Sequence, residues 1–232
     1  MALVNGLMEL GLRANERVLD RVHPKGNGPL STGDFPWMAA ITARWEDVRA
    51  EVDALERDRV RLPTTDEVAG FDQGAEGRWT SFILTSYGKW IDANCARCPV
   101  TTSLVRDIPG LQIAGFSVLG PHTHLPRHRG PNRGALRYQV GLKVPDPAGS
   151  SRIQVGDEVH IWSDGASMVF DHSVHHEAWN DSDADRYVLF IEFVWPVAGW
   201  PGLANRTTQR VFSLAARGVP RRVEELEQIL NR

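Results

Sequence analysis

Apolar side chains in the first 60 residues recur at the three- and four-residue spacing of a helix. Leu3, Leu7, Leu10, Ala14 and Val18 share one helical face. After a Gly-, Pro- and Ser-rich break over residues 26–33, the set Trp37, Ile41, Trp45, Val48, Val52 and Leu55 predicts one second amphipathic helix. Pro36 stands near its start, where a missing N–H costs nothing. Its other face carries Arg44, Glu46, Asp47, Arg49 and Glu51, most simply a solvated surface. From about Trp79 the period shortens. Apolar runs at 81–86, 113–119, 136–144, 152–155, 158–162, 167–170 and 187–195 read as strands, with Gly, Pro, Asn and Asp clusters between them. That spacing predicts a β-sandwich or barrel rather than βαβ units. Residues 187–195 are almost continuously apolar and predict a central strand buried on both faces. Beyond Pro196, Val223, Leu226, Ile229 and Leu230 mark a short helix that packs on the sheet or serves an oligomer contact.

Composition narrows this little. The 232 residues are 42% hydrophobic and 24% charged, with net charge −3, so no basic excess points to nucleic acid or to an anionic membrane. Glu9 interrupts what would be a signal-peptide core, and no run approaches the length of a membrane helix, so the expected location is the cytoplasm. Cys95 and Cys98 form a single Cys-x-x-Cys, too little for a closed structural zinc site, and are expected to be free thiols.

Histidine placement changes the picture more. Seven of the eight histidines lie between 122 and 176, in the groups His122, His124, His128 and His172, His175, His176, with His160 between them. Such clusters on distant strands suit a metal site at a β-barrel mouth. His160 alternates with Val159 and Ile161 and could simply face solvent. Histidines alone do not choose the metal.

Residues 79–196 resemble the aspartyl/asparaginyl β-hydroxylase family of 2-oxoglutarate oxygenases. The resemblance is carried by His128-Arg129-Gly130-Pro131-Asn132, Leu136-Arg137, Gly141-Leu142, Val144-Pro145, and Trp162 with Gly165. Most telling is Phe170-Asp171-x-Ser173-x-x-His176-Glu177-x-Trp179-Asn180-Asp181, followed by Arg186 and Trp195-Pro196. Trp79, Phe82, Cys95, Pro99, Thr101 and Ile108-Pro109 fit upstream. The implied fold is mainly β: a double-stranded β-helix (jelly roll, cupin-like) over residues 79–197. An N-terminal helical region, 1–78, and a C-terminal helical extension, 198–232, would pack on it within a single domain.

The resemblance implies iron(II) held by His128 and His176, with 2-oxoglutarate and dioxygen as cosubstrates. Gly130 stands where most such oxygenases have a carboxylate ligand; this family characteristically lacks that carboxylate, so Gly130 agrees with the resemblance. Arg186 matches the arginine for the far carboxylate of 2-oxoglutarate and Ser117 the serine that assists it. Gln139 stands where related enzymes have a histidine near the cosubstrate. Arg137 is the candidate grip for an anionic substrate group. Its usual partner arginine is here Ala135, with Arg133 a potential substitute, and His172 replaces an aspartate. The expected substrate is an amino-acid-like small molecule or an aspartyl/asparaginyl-type residue of a peptide, with lipid less favoured and no membrane or nucleic-acid partner. Two other classes also fit the residues. One is a metal-dependent cupin enzyme using His122, His124, His128 and His176 without 2-oxoglutarate; the other is a non-catalytic β-sandwich binding module. Oligomeric state is not readable.

Overall fold

The computed structural model describes residues 2–23, 26, 28–70, 72–130, 133–216 and 218–230. Pro131 and Asn132 of the motif after His128 lie outside the described residues, as do the side chains of Leu3, Leu7, Ile229 and Leu230. Eight helices among the described residues, α1 (Ala2–Val22), α2 (Pro36–Thr42), α3 (Trp45–Arg57), α4 (Thr65–Ala69), α5 (Asp92–Arg97), α6 (Pro99–Val105), α7 (Gly199–Ala215) and α8 (Gly218–Leu230), surround ten strands. The strands are β1 (Trp79–Ser86), β2 (Lys89–Trp90), β3 (Leu111–Leu119), β4 (Thr123–His128), β5 (Ala135–Lys143), β6 (Ser151–Val155), β7 (Glu158–Ile161), β8 (Ser167–Asp171), β9 (His176–Asn180) and β10 (Arg186–Val194).

They form two antiparallel sheets, ordered β2-β1-β3-β10-β5-β8 and β4-β9-β6-β7, the two faces of a double-stranded β-helix. β10 sits in the middle of the larger sheet, which explains its unbroken apolar look. Leu189, Ile191 and Phe193 point to a core shared with α2, α3 and α6, through Met38, Ile41, Val48, Val52 and Val105. Burying each such large side chain stabilises by about 1.5–3 kcal/mol. The alternate residues Arg186, Val188, Phe190 and Glu192 point to the opposite face, toward the smaller sheet. There Val188 joins Leu119, Leu125, Ile153, Phe170 and Ala178 in a second core. α8 packs on the sheet, with Val223 against Ile83 and Val68.

Four expectations need correction. The helix expected across Trp37–Leu55 is two helices, broken at Ala43 and Arg44, the latter at φ −118°, ψ 22°. The last turn of α2 is held by Thr42, whose hydroxyl donates to Met38 O at 3.0 Å and lies 2.6 Å from Tyr138 Oη. Glu51 is not solvated: it is buried and accepts from Val100 N, Thr101 N and Thr101 Oγ1, satisfying the N-terminus of α6. On β7 the alternation is inverted, with Val159 and Ile161 exposed and His160 half-buried on Trp162. On α1 the side chains packed inward are Asn15 and Leu19, whereas Leu10 and Ala14 face out.

Candidate active site

The site grows from two strands that apolar pattern does not reveal. β4 (THLPRH) and β9 (HEAWN) are too polar to read as buried strands, yet they pair with His128 directly opposite His176. The ring centroids are 4.3 Å apart. A register shift between Leu125 and His128, where Pro126 has no N–H to give the ladder, turns His128 toward its partner. Both rings are anchored alike: His128 Nδ1 lies 2.7 Å from Pro126 O, and His176 Nδ1 2.9 Å from Val174 O. A carbonyl accepts only from Nδ1–H, so each neutral ring presents a bare Nε2. His176 Nε2 is buried and has no hydrogen-bond partner. Burial lowers the pKa of both rings, which keeps them neutral.

Facing them is the inward side of the larger sheet. Strand register sets Arg186 diagonal to Ser117, Gln139 opposite Phe190 and Arg137 opposite Glu192. His128, His176, Arg186, Ser117, Gln139 and Arg137 line one cavity of about 470 Å³. Ser117 Oγ accepts from Trp79 Nε1 at 2.9 Å. Arg186 is only 3% exposed and its Nε has no partner; among the described residues no carboxylate lies within ion-pair reach of it. Burial pushes its pKa down to about 9. Gln139 Oε1 is likewise buried without a partner. A wholly desolvated cation costs several kcal/mol unless a counter-charge arrives, so this wall is built for an anion.

Arg137 is not free in the same way. Its Nη2 lies 2.9 Å from Glu192 Oε2, and His172 Nδ1 stands 3.5 Å from that oxygen. Burial would raise the Glu192 pKa, but His172 and Arg137 outweigh it and hold the carboxyl below its ordinary value. Glu192 was missed from sequence. The available signal was a lone carboxylate in an otherwise apolar strand.

The other candidates fall elsewhere. His122 pairs with Asp183, and His124 is clamped between Glu76 and Glu177 and stacked on Trp179, so neither joins a four-histidine ligand set. Among the described residues no group of three or more His, Cys, Asp or Glu is arranged to hold a metal. Arg133 cannot substitute in the cavity: its side chain is fully buried against Asp171 and Asp20 and donates to His23 O. Cys95 and Cys98 are free, and burial raises both thiol pKa values.

A family model described as aspartyl/asparaginyl β-hydroxylase matches residues 42–196, beginning before α3 rather than at Trp79 as expected. An ornithine lipid ester-linked acyl 2-hydroxylase of Rhizobium tropici is 39% identical over 175 residues, covering 74% of this chain and 62% of its own. Human aspartyl/asparaginyl β-hydroxylase is 28% identical over 176 residues, covering 72% of this chain and 22% of its own. This chain therefore matches less than two thirds of the length of either relative. A Pseudomonas putida prolyl-4-hydroxylase structure aligns over 66% of this chain and 88% of its own, at 15% identity and TM-score 0.45. The R. tropici name gives no support to the expectation against lipid. With more than half of its length matched by the family model, the chain belongs to the aspartyl/asparaginyl β-hydroxylase family.

Proposed function

We propose that the chain is an iron(II)- and 2-oxoglutarate-dependent hydroxylase. The observation that carries this reading is the opposition of two bare imidazole nitrogens, on His128 and His176, to the unpaired buried guanidinium of Arg186. The residues fit the implied groups. Two neutral imidazoles suit a first-row transition metal, and a dicarboxylate with one end at the metal would bring Arg186 the counter-charge it lacks. When bound, iron with 2-oxoglutarate and dioxygen supplies the oxidising power that replaces a C–H by C–OH, with succinate and carbon dioxide as coproducts.

The chain's own residues do the rest. Arg186 grips the far carboxylate with charge-assisted hydrogen bonds. Ser117 donates to the same group, its lone pair already engaged by Trp79. Gln139 turns its amide toward the cosubstrate. Gly130 adds no side chain near His128; the His172 ring packs there instead. The apolar lining, including Ile83, Ile153, Phe170 and Phe190, excludes water and orients the target carbon.

Arg137, expected to grip an anionic substrate group, is already neutralised by Glu192, so an aspartyl side chain has a competitor. The largely apolar cavity favours a substrate that brings an aliphatic carbon to the metal, on an amino-acid-derived or acyl-bearing molecule. In air, wild-type protein with iron(II), 2-oxoglutarate and candidate substrates forms succinate, and Arg186→Ala does not at the same 2-oxoglutarate concentration. Succinate formation untouched by Arg186→Ala contradicts the reading.

A further inference from the structure

We propose that α7 seats the protein on an anionic phospholipid membrane. Among the described residues, four of the eight large apolar side chains left exposed belong to this one helix: Trp200, Leu203, Val211 and Leu214. Their spacing of three, eight and three places them on a single stripe, about 80° wide at 3.6 residues per turn. Thr207, exposed, lies within the same stripe. The helix is closed on its far side, where Asn205 and Gln209 are buried: Asn205 donates to Gly134 O and Gln209 to Arg133 O. The stripe is therefore surplus to folding.

Charge identifies the partner. α7 contains no Asp or Glu. Arg206 and Arg210, both exposed and one turn apart, run along one flank of the stripe, and neither has an acidic partner among the described residues. An apolar stripe carrying Trp and Leu, flanked by unpaired cations, is the build of a helix lying in a membrane interface. Anionic headgroups complement the arginines. A second copy of the chain docking by the same face would set like charges together.

Position adds a reason for such docking. Phe212 and Ala216, at the C-terminal end of α7, line the cavity that holds His128 and His176. Phe212 also packs edge-on against Tyr87 of that cavity, 5.8 Å between centroids. Phe212 and Ala216 both lie on the side of α7 away from the stripe, so a membrane-seated α7 holds the cavity about one helix diameter from the acyl layer. That consequence rests on the proposed function; the docking surface itself does not.

The test is co-sedimentation of the full chain with phosphatidylcholine vesicles, with and without phosphatidylglycerol, followed by thermal melts. It needs no iron, cosubstrate or turnover, so its failure leaves the hydroxylase reading standing, and the converse. The wild type is expected to partition about tenfold more strongly onto phosphatidylglycerol-containing vesicles, and less so in high salt. Leu203→Asp/Leu214→Asp, at exposed positions, should cut binding at least tenfold with an unchanged melt. Arg206→Gln/Arg210→Gln should retain the melt and lose the phosphatidylglycerol preference. Three results overturn the proposal: wild type left in the supernatant with both vesicles, either double variant binding like wild type, or a wild-type dimer that Leu203→Asp/Leu214→Asp dissolves.

Discussion

The ring of His172 fills the space that a side chain on Gly130 would need. A Cβ built on Gly130 would stand 2.5 Å from His172 Nδ1, and the Gly130 N–H donates to His172 O at 2.7 Å. His172 is 1% exposed, so it has no room to withdraw. Gly130, where common oxygenases carry a carboxylate, and His172 are thus coupled by packing: the buried imidazole occupies the space that a side chain at 130 would take.

Restoring that carboxylate should fail. Gly130→Asp is expected to destabilise the fold by about 1–3 kcal/mol through overpacking and to bind iron(II) no more tightly than wild type. Adding His172→Ala should relieve the clash. Melting curves and anaerobic iron titration check both; an unchanged melt for Gly130→Asp would show that His172 yields freely.

Arg186 should trade stability for function. Its guanidinium is buried with no anion beside it, so Arg186→Met is expected to stabilise the ligand-free protein by about 1–2 kcal/mol. At this chain length that raises Tm by about 2–4 °C per kcal/mol. The same variant should lose 2-oxoglutarate binding by at least about a hundredfold, equivalent to roughly 3 kcal/mol of charge-assisted hydrogen bonding. Calorimetry of the wild type and Arg186→Met, with and without 2-oxoglutarate, reads the two effects separately.

Glu192 and Arg137 should behave as one unit. Glu192→Ala strands a largely buried guanidinium and is expected to cost about 3 kcal/mol. The double variant Arg137→Ala/Glu192→Ala should recover part of that, giving a coupling energy above about 1 kcal/mol in a denaturation cycle. Strictly additive losses would mean that the 2.9 Å contact contributes nothing.

The His124 clamp predicts a pH dependence. Its Nδ1 and Nε2 lie 2.9 and 2.7 Å from Glu76 and Glu177 carboxylate oxygens. Burial opposes the charged ring, but the two carboxylates outweigh it and the pKa is raised. A raised folded-state pKa means the stabilisation is fully present below the unfolded value of about 6.5 and lost as pH rises through the folded one. The Tm gap between wild type and His124→Gln should therefore be widest near pH 6 or below and close at alkaline pH. A gap that widens with pH contradicts the clamp.

Much of this architecture was legible in the sequence. Short apolar runs bounded by turn residues marked seven of the ten strands. The strands that escaped, β2, β4 and β9, are short or polar, and β4 carries a proline. Two of them hold His128 and His176, so the pattern that finds a core passes over the strands that bear the site. Those histidines were reached through motif order instead. Single-residue pattern could not tell that Glu51 turns inward to cap α6, or that His160 exchanges places with Val159 and Ile161, because both outcomes depend on which distant element covers the face. The neutralisation of Arg137 by Glu192 was hidden for the same reason: the two are 55 residues apart and meet through β5–β10 register.

The most direct test of the central claim is an anaerobic titration of the protein with iron(II), with and without 2-oxoglutarate, followed by visible absorption. With two protein ligands and no carboxylate, iron should bind weakly alone. It should bind at least about tenfold more tightly with 2-oxoglutarate, a coupling of about 1.4 kcal/mol, and a charge-transfer band should appear that His176→Ala abolishes. Equal iron affinity with and without 2-oxoglutarate, or a band that survives His176→Ala, would contradict the account.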